Sequence, residues 1–337
     1  MLKMSIEALP DTQLKLWRVS GATMGTRYTA AFHASPKTDE RALSARLAAA
    51  VGAVDEQMSN WKDSSDLSRL NRAELDCWVP VSGNLAALLV RALEIGRDTH
   101  NAFNIGVGDL VGMWGFGPLG EQRAHRPGGV GTSRASPCSS VSDLIDVDVQ
   151  QCRVRKLGPV ALDLCGIAKG FGVDELARVL SEHGIDSCLV GIDGEMRACG
   201  SKPDGSPWAI ALEAPDYERH AAMGVIELSN AAIATSGDYR HWADIDGARI
   251  SHTMDPRTGA PLCSSVASVT VIAPTCADAD AYATALLVLG PQAARDYAQR
   301  RRLDALFVVR DGDALGTIGT GCFANLHSDP GQVLLPV

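Results

Sequence analysis

The segment Ser251–Gly259, SHTMDPRTG, sets His252, Asp255 and Arg257 within six residues, on a turn that closes in glycine. An imidazole titrates near neutral pH, so His252 can take a proton from a hydroxyl nucleophile. A turn histidine bonded to backbone is the plainer alternative. Asp255 and Arg257 read as partners that shape the turn by mutual hydrogen bonding rather than as chemical groups. Downstream, CADADAYATALLVLG places Asp280 and Thr284 four residues apart on one helical face, where a carboxylate and a hydroxyl converge. Hard oxygen ligands of this kind suit Mg²⁺, which takes few protein ligands and completes its octahedron with phosphate oxygens and water. Capping of the helix by Asp278 or Asp280 accounts for the same spacing.

A third constellation is ALDLCGIAKGFGVD, residues 161–174. Asp163 ends a strand, a glycine turn follows, and Lys169 stands at the start of a helix, where backbone amides and the dipole favour an anion such as a phosphate ester. The spacing is not that of a Walker loop, and a structural Gly-rich turn explains the segment equally well. FNIGVGDLVGMWGFGP, residues 103–118, mixes glycines with Phe103, Trp114 and Phe116, a composition that lets a planar ring lie against backbone or simply fills a core. GATMGTRYT around Met24 and MSNWKDSSDLSRLN around Trp61 are open in the same way.

These groups need elements to position them. Residues 14–32 are rich in β-formers and broken at Gly21–Gly25, so they read as two strands. DERALSARLAAAVGAVDEQMS keeps helical spacing behind an acidic start, and a second helix follows Ser82, a plausible cap. A helix runs from the Lys169 segment to Gly184, and DSCLVGIDGEMRACG reads as strand, glycine turn and strand. Short β-like runs recur from Trp208 to Ile272, then helices from about Ala277 and near Pro291, and a last strand, DALFVV. The pattern is α+β, a largely antiparallel sheet with packed helices. It predicts one domain over residues 16–325, with an N-terminal extension at 1–15, a mobile loop near 118–140 and a C-terminal tail at 326–337.

Composition narrows the function. The chain has 337 residues, 46% of them hydrophobic and 21% charged, and buries a core without staples. A net charge of -9 excludes a general nucleic-acid surface, and any phosphate-bearing ligand requires a locally favourable site. Nine cysteines without a CxxC pair read as reduced thiols. No apolar run approaches a membrane span, and the N-terminus lacks the pattern of a signal peptide or lipobox, so a cytoplasmic location is expected.

Taken in order, GATMGT, the Trp61 loop, AFN at residues 102–104, DLCGIAKG, SHTMDPRTG and ADAYATALLVLG resemble the ApbE family of Mg²⁺-dependent FAD:protein FMN transferases, from near residue 21 to residue 290. The resemblance implies an ApbE-like, T-fold-related architecture with FAD as the bound substrate and Mg²⁺ as cofactor. It implies FAD contacts at Met24, Trp61, Ala102, Phe103, Asn104, Asp163, Lys169 and Met254. Metal ligands fall at the Gly166 carbonyl, Asp280 and Thr284, with Ala283 where some members carry a further acidic ligand, and His252 is implicated in transfer. The partner so implied is an acceptor flavoprotein with a Ser/Thr flavinylation motif resembling Asp-x-x-Ser/Thr-Gly-Ala-Ser/Thr, modified through a phosphoester with release of AMP. Where many relatives read FDITVGPL, this chain has Asn104, Gly106 and Asp109. FAD hydrolysis to FMN and AMP, and flavin binding without chemistry, stay open beside transfer.

Overall fold

The computed structural model describes residues 14–117, 138, 140–215, 221–239, 242–245, 248–312 and 314–325. The expected extension and tail therefore fall almost wholly outside the described residues, as does nearly all of the expected loop at 118–140.

The first elements are β1 (Lys15–Thr23), β2 (Thr26–Ala34), α1 (Glu40–Met58), α2 (Asp66–Arg72), β3 (Val79–Pro80), α3 (Gly83–Asp98) and α4 (Gly108–Met113). After them come β4 (Ile145–Asp148), β5 (Arg153–Lys156), α5 (Ala168–Glu182), β6 (Cys188–Ile192), β7 (Glu195–Cys199), β8 (Trp208–Glu213), β9 (Ala222–Leu228) and β10 (Ala231–Gly237). The chain continues through β11 (Trp242–Ile245), β12 (Ala248–Ser251), β13 (Met254–Asp255), β14 (Ala260–Pro261), β15 (Val266–Ala273), α6 (Cys276–Leu289), α7 (Pro291–Arg301), β16 (Asp304–Asp311) and β17 (Ala314–Thr320). Ser82 caps α3 as its position in the sequence suggests, and Asp39 caps α1. Helices α2 and α4, strand β17 and strands β3, β4 and β5, which form a small sheet of their own, are absent from the sequence reading. The first two are too short to show a helical period, and β17, ALGTIGT, is rich in glycine.

Eight strands form one antiparallel sheet in the order β1-β2-β6-β7-β10-β15-β16-β17. Alternation along its strands separates two faces. Cys188, Val190, Ala232, Ala305 and Phe307 face the helices, whereas Ala198, Ile233 and Leu306 face the other side, where Trp208, Ile210, Leu212 and Leu228 of the β8–β9 hairpin cover them. Two hairpin turns lie at the same end of the sheet. Met24 and Gly25 join β1 to β2, Asp193 and Gly194 join β6 to β7, and all four take positive φ. Such two-residue turns match the twist of paired strands.

Helix α6 is the central helix, with 11 of its 14 residues buried, including Ala283. A helix apolar on every side has to sit inside the core. It crosses α5 at backbone contact: a Cβ at Gly170 would overlap the Cys276 carbonyl. Asp174 of α5 secures the junction by accepting from the amides of Cys276 and Ala277 at 2.9 and 3.0 Å. Gly170→Ala is therefore expected to cost about 3 kcal/mol or more, at the upper end of overpacking effects. Urea unfolding checks this, and an unchanged midpoint would mean that the helices can separate without loss.

Candidate functional site

The carboxyl end of the Asp163 segment, the first turn of α5, the β6–β7 turn, the end of β10, the His252 segment and one face of α6 line a single cleft. Ala102, Phe103, Asn104, Asp163, Gly166, Lys169, His252, Met254, Asp280 and Thr284 all contribute to its walls. Met24 and Trp61 do not. Met24 holds a positive φ, uncommon for a non-glycine residue, and its turn borders the cleft because Thr26 donates to Asp193 at 3.3 Å. Trp61 is 60% exposed, yet the neighbouring Asn60 donates to the Asp163 carboxylate at 3.0 Å. Each is linked to a cleft residue through a neighbour in the chain.

Asp163 is fixed twice more, by its own amide, which donates to the Ile105 carbonyl at 2.7 Å, and by the Cys165 amide, which donates to its other carboxylate oxygen at 2.7 Å. Thr275 caps α6 through the Asp278 amide, and Asp278 pairs with Arg91 at 2.7 Å. Asp280 is thus not the helix cap. It is buried, 4% exposed, and accepts from the Gly170 amide of α5 at 3.1 Å. Thr284 lies one turn further along the same face, with its hydroxyl 3.0 Å from that of Ser236.

Gly166 approaches so closely that a Cβ there would stand 3.1 Å from the Thr284 hydroxyl oxygen. One carboxylate, one hydroxyl and the backbone of Gly166 therefore line the same cleft, a hard-oxygen set whose chemistry suits Mg²⁺. Among the described residues no cluster of three or more His, Cys, Asp or Glu side chains is arranged to hold a metal. An ion here would rely on ligand oxygens to complete its shell.

Lys169 is the basic centre. Its Nζ lies 2.8 Å from Glu195 and 3.3 Å from Asp193. Burial works against its charge, but Glu195, Asp280 and Asp193 together raise its pKa above the usual lysine value. The lysine cannot neutralise three carboxylates. Burial pushes Asp280 up to about 6, against the pull of Lys169 and the Gly170 amide. Glu195 moves in the same direction because it is desolvated and lies near the Asp280 carboxylate, against the pull of Lys169, and its Oε2 has no hydrogen-bond partner. Burial thus favours the protonated carboxyls, and a bound cation would favour their ionised forms instead.

Asp193, Glu195 and Ser236 are cleft residues that the sequence reading passed over. The Asp-Gly pair in GIDGEM signalled a tight turn, but nothing local said that its acidic neighbours would face a lysine 24 and 26 residues away in the chain. The Asp255–Arg257 pair is as expected: the guanidinium donates to both carboxylate oxygens at 2.8 and 2.9 Å. His252 contacts the edge of Phe116, with ring centroids 6.5 Å apart.

The model of the ApbE family matches residues 24–307, most of the chain. The chain belongs to the ApbE family. An FAD:protein FMN transferase of Klebsiella pneumoniae (strain 342) is 34% identical over 301 residues, covering 89% of this chain and 86% of the relative. One from Haemophilus influenzae (strain ATCC 51907 / DSM 11121 / KW20 / Rd) is 34% identical over 332 residues, covering 93% and 92%. Among solved structures, the flavin transferase ApbE from Vibrio cholerae shares 33% identity and a TM-score of 0.79 over 92% of this chain and 98% of that one. The apo form of Pseudomonas stutzeri flavinyl transferase ApbE gives a TM-score of 0.79 at 34% identity, over 95% and 99%. This ApbE-family chain is accordingly an enzyme, and the antiparallel sheet with packed helices agrees with those structures.

The departures from the commoner ApbE pattern have local explanations. Asn104 is buried, and its side-chain oxygen accepts from the Gly106 amide at 2.7 Å, closing a tight turn. A Cβ at Gly106 would stand 2.5 Å from a Val141 methyl, so glycine accommodates the neighbouring segment. Asp109 lies in the first turn of α4, where a carboxylate suits the exposed amides.

Proposed function

We propose that this chain transfers FMN from FAD to a Ser or Thr hydroxyl of an acceptor protein, with Mg²⁺ as cofactor and AMP as the leaving group. The observation that carries this reading is the convergence of Lys169, Asp280, Thr284, Gly166 and His252 on one cleft. Asp280, Thr284 and the Gly166 carbonyl would hold the ion. A bound Mg²⁺ supplies screening of charge on pyrophosphate oxygens. Lys169 offers a second, fixed positive charge in the same place. Phe103 and Met254 provide apolar surface for the flavin or adenine, and Met24 and Trp61 would add to it.

A Ser or Thr hydroxyl is a weak nucleophile at neutral pH, and His252 is the group in the cleft able to take its proton. The acceptor oxygen forms its bond to the FMN phosphorus as the bond from that phosphorus to the AMP oxygen breaks. The imidazole carries the proton away, and AMP departs with the electron pair of the broken bond. Acceptor and FAD thereby give flavinylated protein and AMP.

The test is an incubation of the purified chain with FAD and a carrier protein bearing the acceptor motif, with and without Mg²⁺, followed by a denaturing gel viewed for flavin fluorescence. Fluorescence on the carrier that requires Mg²⁺ is the expected result. A dark carrier with free FMN and AMP would replace transfer by hydrolysis, and intact FAD would leave binding alone. We further place the acceptors in the cytoplasm, since nine cysteines without a disulfide suit a reducing compartment. Among the described residues no helix is long and apolar enough to cross a membrane. Recovery of the native protein mainly outside the cytoplasm on fractionation would sink that placement.

A further inference from the structure

We propose that Arg257 is a positioning residue, which sets His252 at a fixed point along the phosphate-handling face of α6. This role presupposes the transfer reaction proposed above. The turn after His252 is a stiff unit. Met254 pairs with Pro261 and Asp255 with Ala260, the Leu262 amide donates to the Thr253 carbonyl at 2.8 Å, and the Gly259 amide donates to the Asp255 carbonyl at 3.0 Å. Asp255 is buried, and besides its two bonds from the guanidinium it accepts from the Arg257 amide at 2.9 Å.

The same guanidinium donates outward, from Nη2 to the Val288 carbonyl at 2.7 Å. Val288 follows Thr284 by four residues and Asp280 by eight, so the three occupy successive turns of one helical face, about 6 Å apart per step at 1.5 Å per residue. All three line the cleft. Helix α6 ends at Leu289, where its last carbonyls lack helical donors, and a cation there also meets the negative end of the dipole. Arg257 therefore joins the histidine turn to the helix that carries Asp280 and Thr284.

Stability alone is a poor account of this arrangement. The Arg257 side chain is 40% exposed while Asp255 is buried, so the pair also holds the turn together, but the bond to the Val288 carbonyl lies outside the turn and adds nothing to its closure. What it fixes is a distance, because misplacing a catalytic group by an ångström is enough to slow a reaction.

The experiment compares wild type, Arg257→Ala, Arg257→Lys, His252→Ala and the His252→Ala/Arg257→Ala double variant. Each is measured for its maximal rate of FMN transfer to the carrier at saturating FAD and Mg²⁺, and for FAD affinity by flavin fluorescence. Arg257→Ala is expected to lower the maximal rate roughly 10- to 100-fold with FAD affinity unchanged. Arg257→Lys should recover part of the rate, since an ammonium can reach the Val288 carbonyl but cannot make the two-pronged pair with Asp255. If Arg257 acts through His252, the double variant is no slower than His252→Ala alone.

Should Arg257→Ala fail to fold, Arg257→Lys carries the test, and a wild-type rate in Arg257→Lys would overturn the proposal. So would a wild-type rate in Arg257→Ala, or a double variant slowed by the full factor seen in the single one. If His252→Ala itself transferred at the wild-type rate, the histidine's role as proton acceptor would fall and Arg257 with it. A slow His252→Ala beside an unaffected Arg257→Ala would remove the positioning role alone.

Discussion

His252→Ala is expected to lose FMN transfer by roughly 100- to 10,000-fold, the range over which a positioned general base acts, while FAD binding is retained. The separation follows from where the residue sits. The groups proposed to face phosphate and metal, Lys169, Asp280 and Thr284, are held by α5, the β6–β7 turn and α6, and none of their hydrogen bonds or ion pairs described above runs through the imidazole. His252 is half-buried in the link between β12 and β13, outside the eight-stranded sheet and the helices, so its removal is expected to leave the core intact. The check is a single-turnover measurement with FAD in excess, beside a fluorescence titration of FAD. A transfer rate equal to wild type would exclude proton transfer by His252. Lost binding would make it an FAD contact instead.

Asp280→Asn is expected to lower transfer by 100-fold or more and to remove its dependence on Mg²⁺, since groups one shell further from a metal already cost roughly 10- to 100-fold when changed. Asparagine keeps the shape and can still accept from the Gly170 amide, which an alanine would leave buried and unpaired. The same change has an opposite effect on folding without metal. Burial holds the Asp280 carboxyl at about 6, above the value of roughly 3.9 expected in an unfolded chain. The folded state thus keeps this proton more tightly than the unfolded one. The associated stability is complete below about pH 4 and lost as pH rises through about 6.

At pH 7.5 the metal-free asparagine variant should therefore melt no lower than wild type, and added Mg²⁺ should raise the midpoint of wild type alone. A variant that melts lower without metal, or one that Mg²⁺ still stabilises, would take Asp280 out of the ion site. Stability sacrificed at a buried charge cluster is the usual mark of a functional site.

Much of this protein is determined by its sequence alone. Periodicity defines α1, α3, α5 and α6 because these helices are long enough to show an apolar face or an apolar interior, and the acidic start of α1 and the Ser82 cap of α3 mark where two of them begin. The alternation of short strands gives an antiparallel sheet, and the ordered segments around Met24, Asp163, His252 and Asp280 resemble one family closely enough to propose a site. Side chains four residues apart on a helix meet by helical geometry, so Asp280 and Thr284 pair without knowledge of the fold.

Other features depend on groups distant in the chain, and the tertiary structure decides them. Asp280 is a cross-helix acceptor rather than a cap because Gly170 lets α5 approach α6 at backbone distance. Lys169 faces Glu195 and Asp193 because the β6–β7 turn lies beside the first turn of α5, a juxtaposition that local pattern does not encode. Arg257 reaches Val288 for the same reason, across 31 residues of sequence. Local chemistry determines which groups are present and which face of each element carries them. Packing of those elements determines which groups share one low-dielectric cleft, and there their charges and protons become coupled.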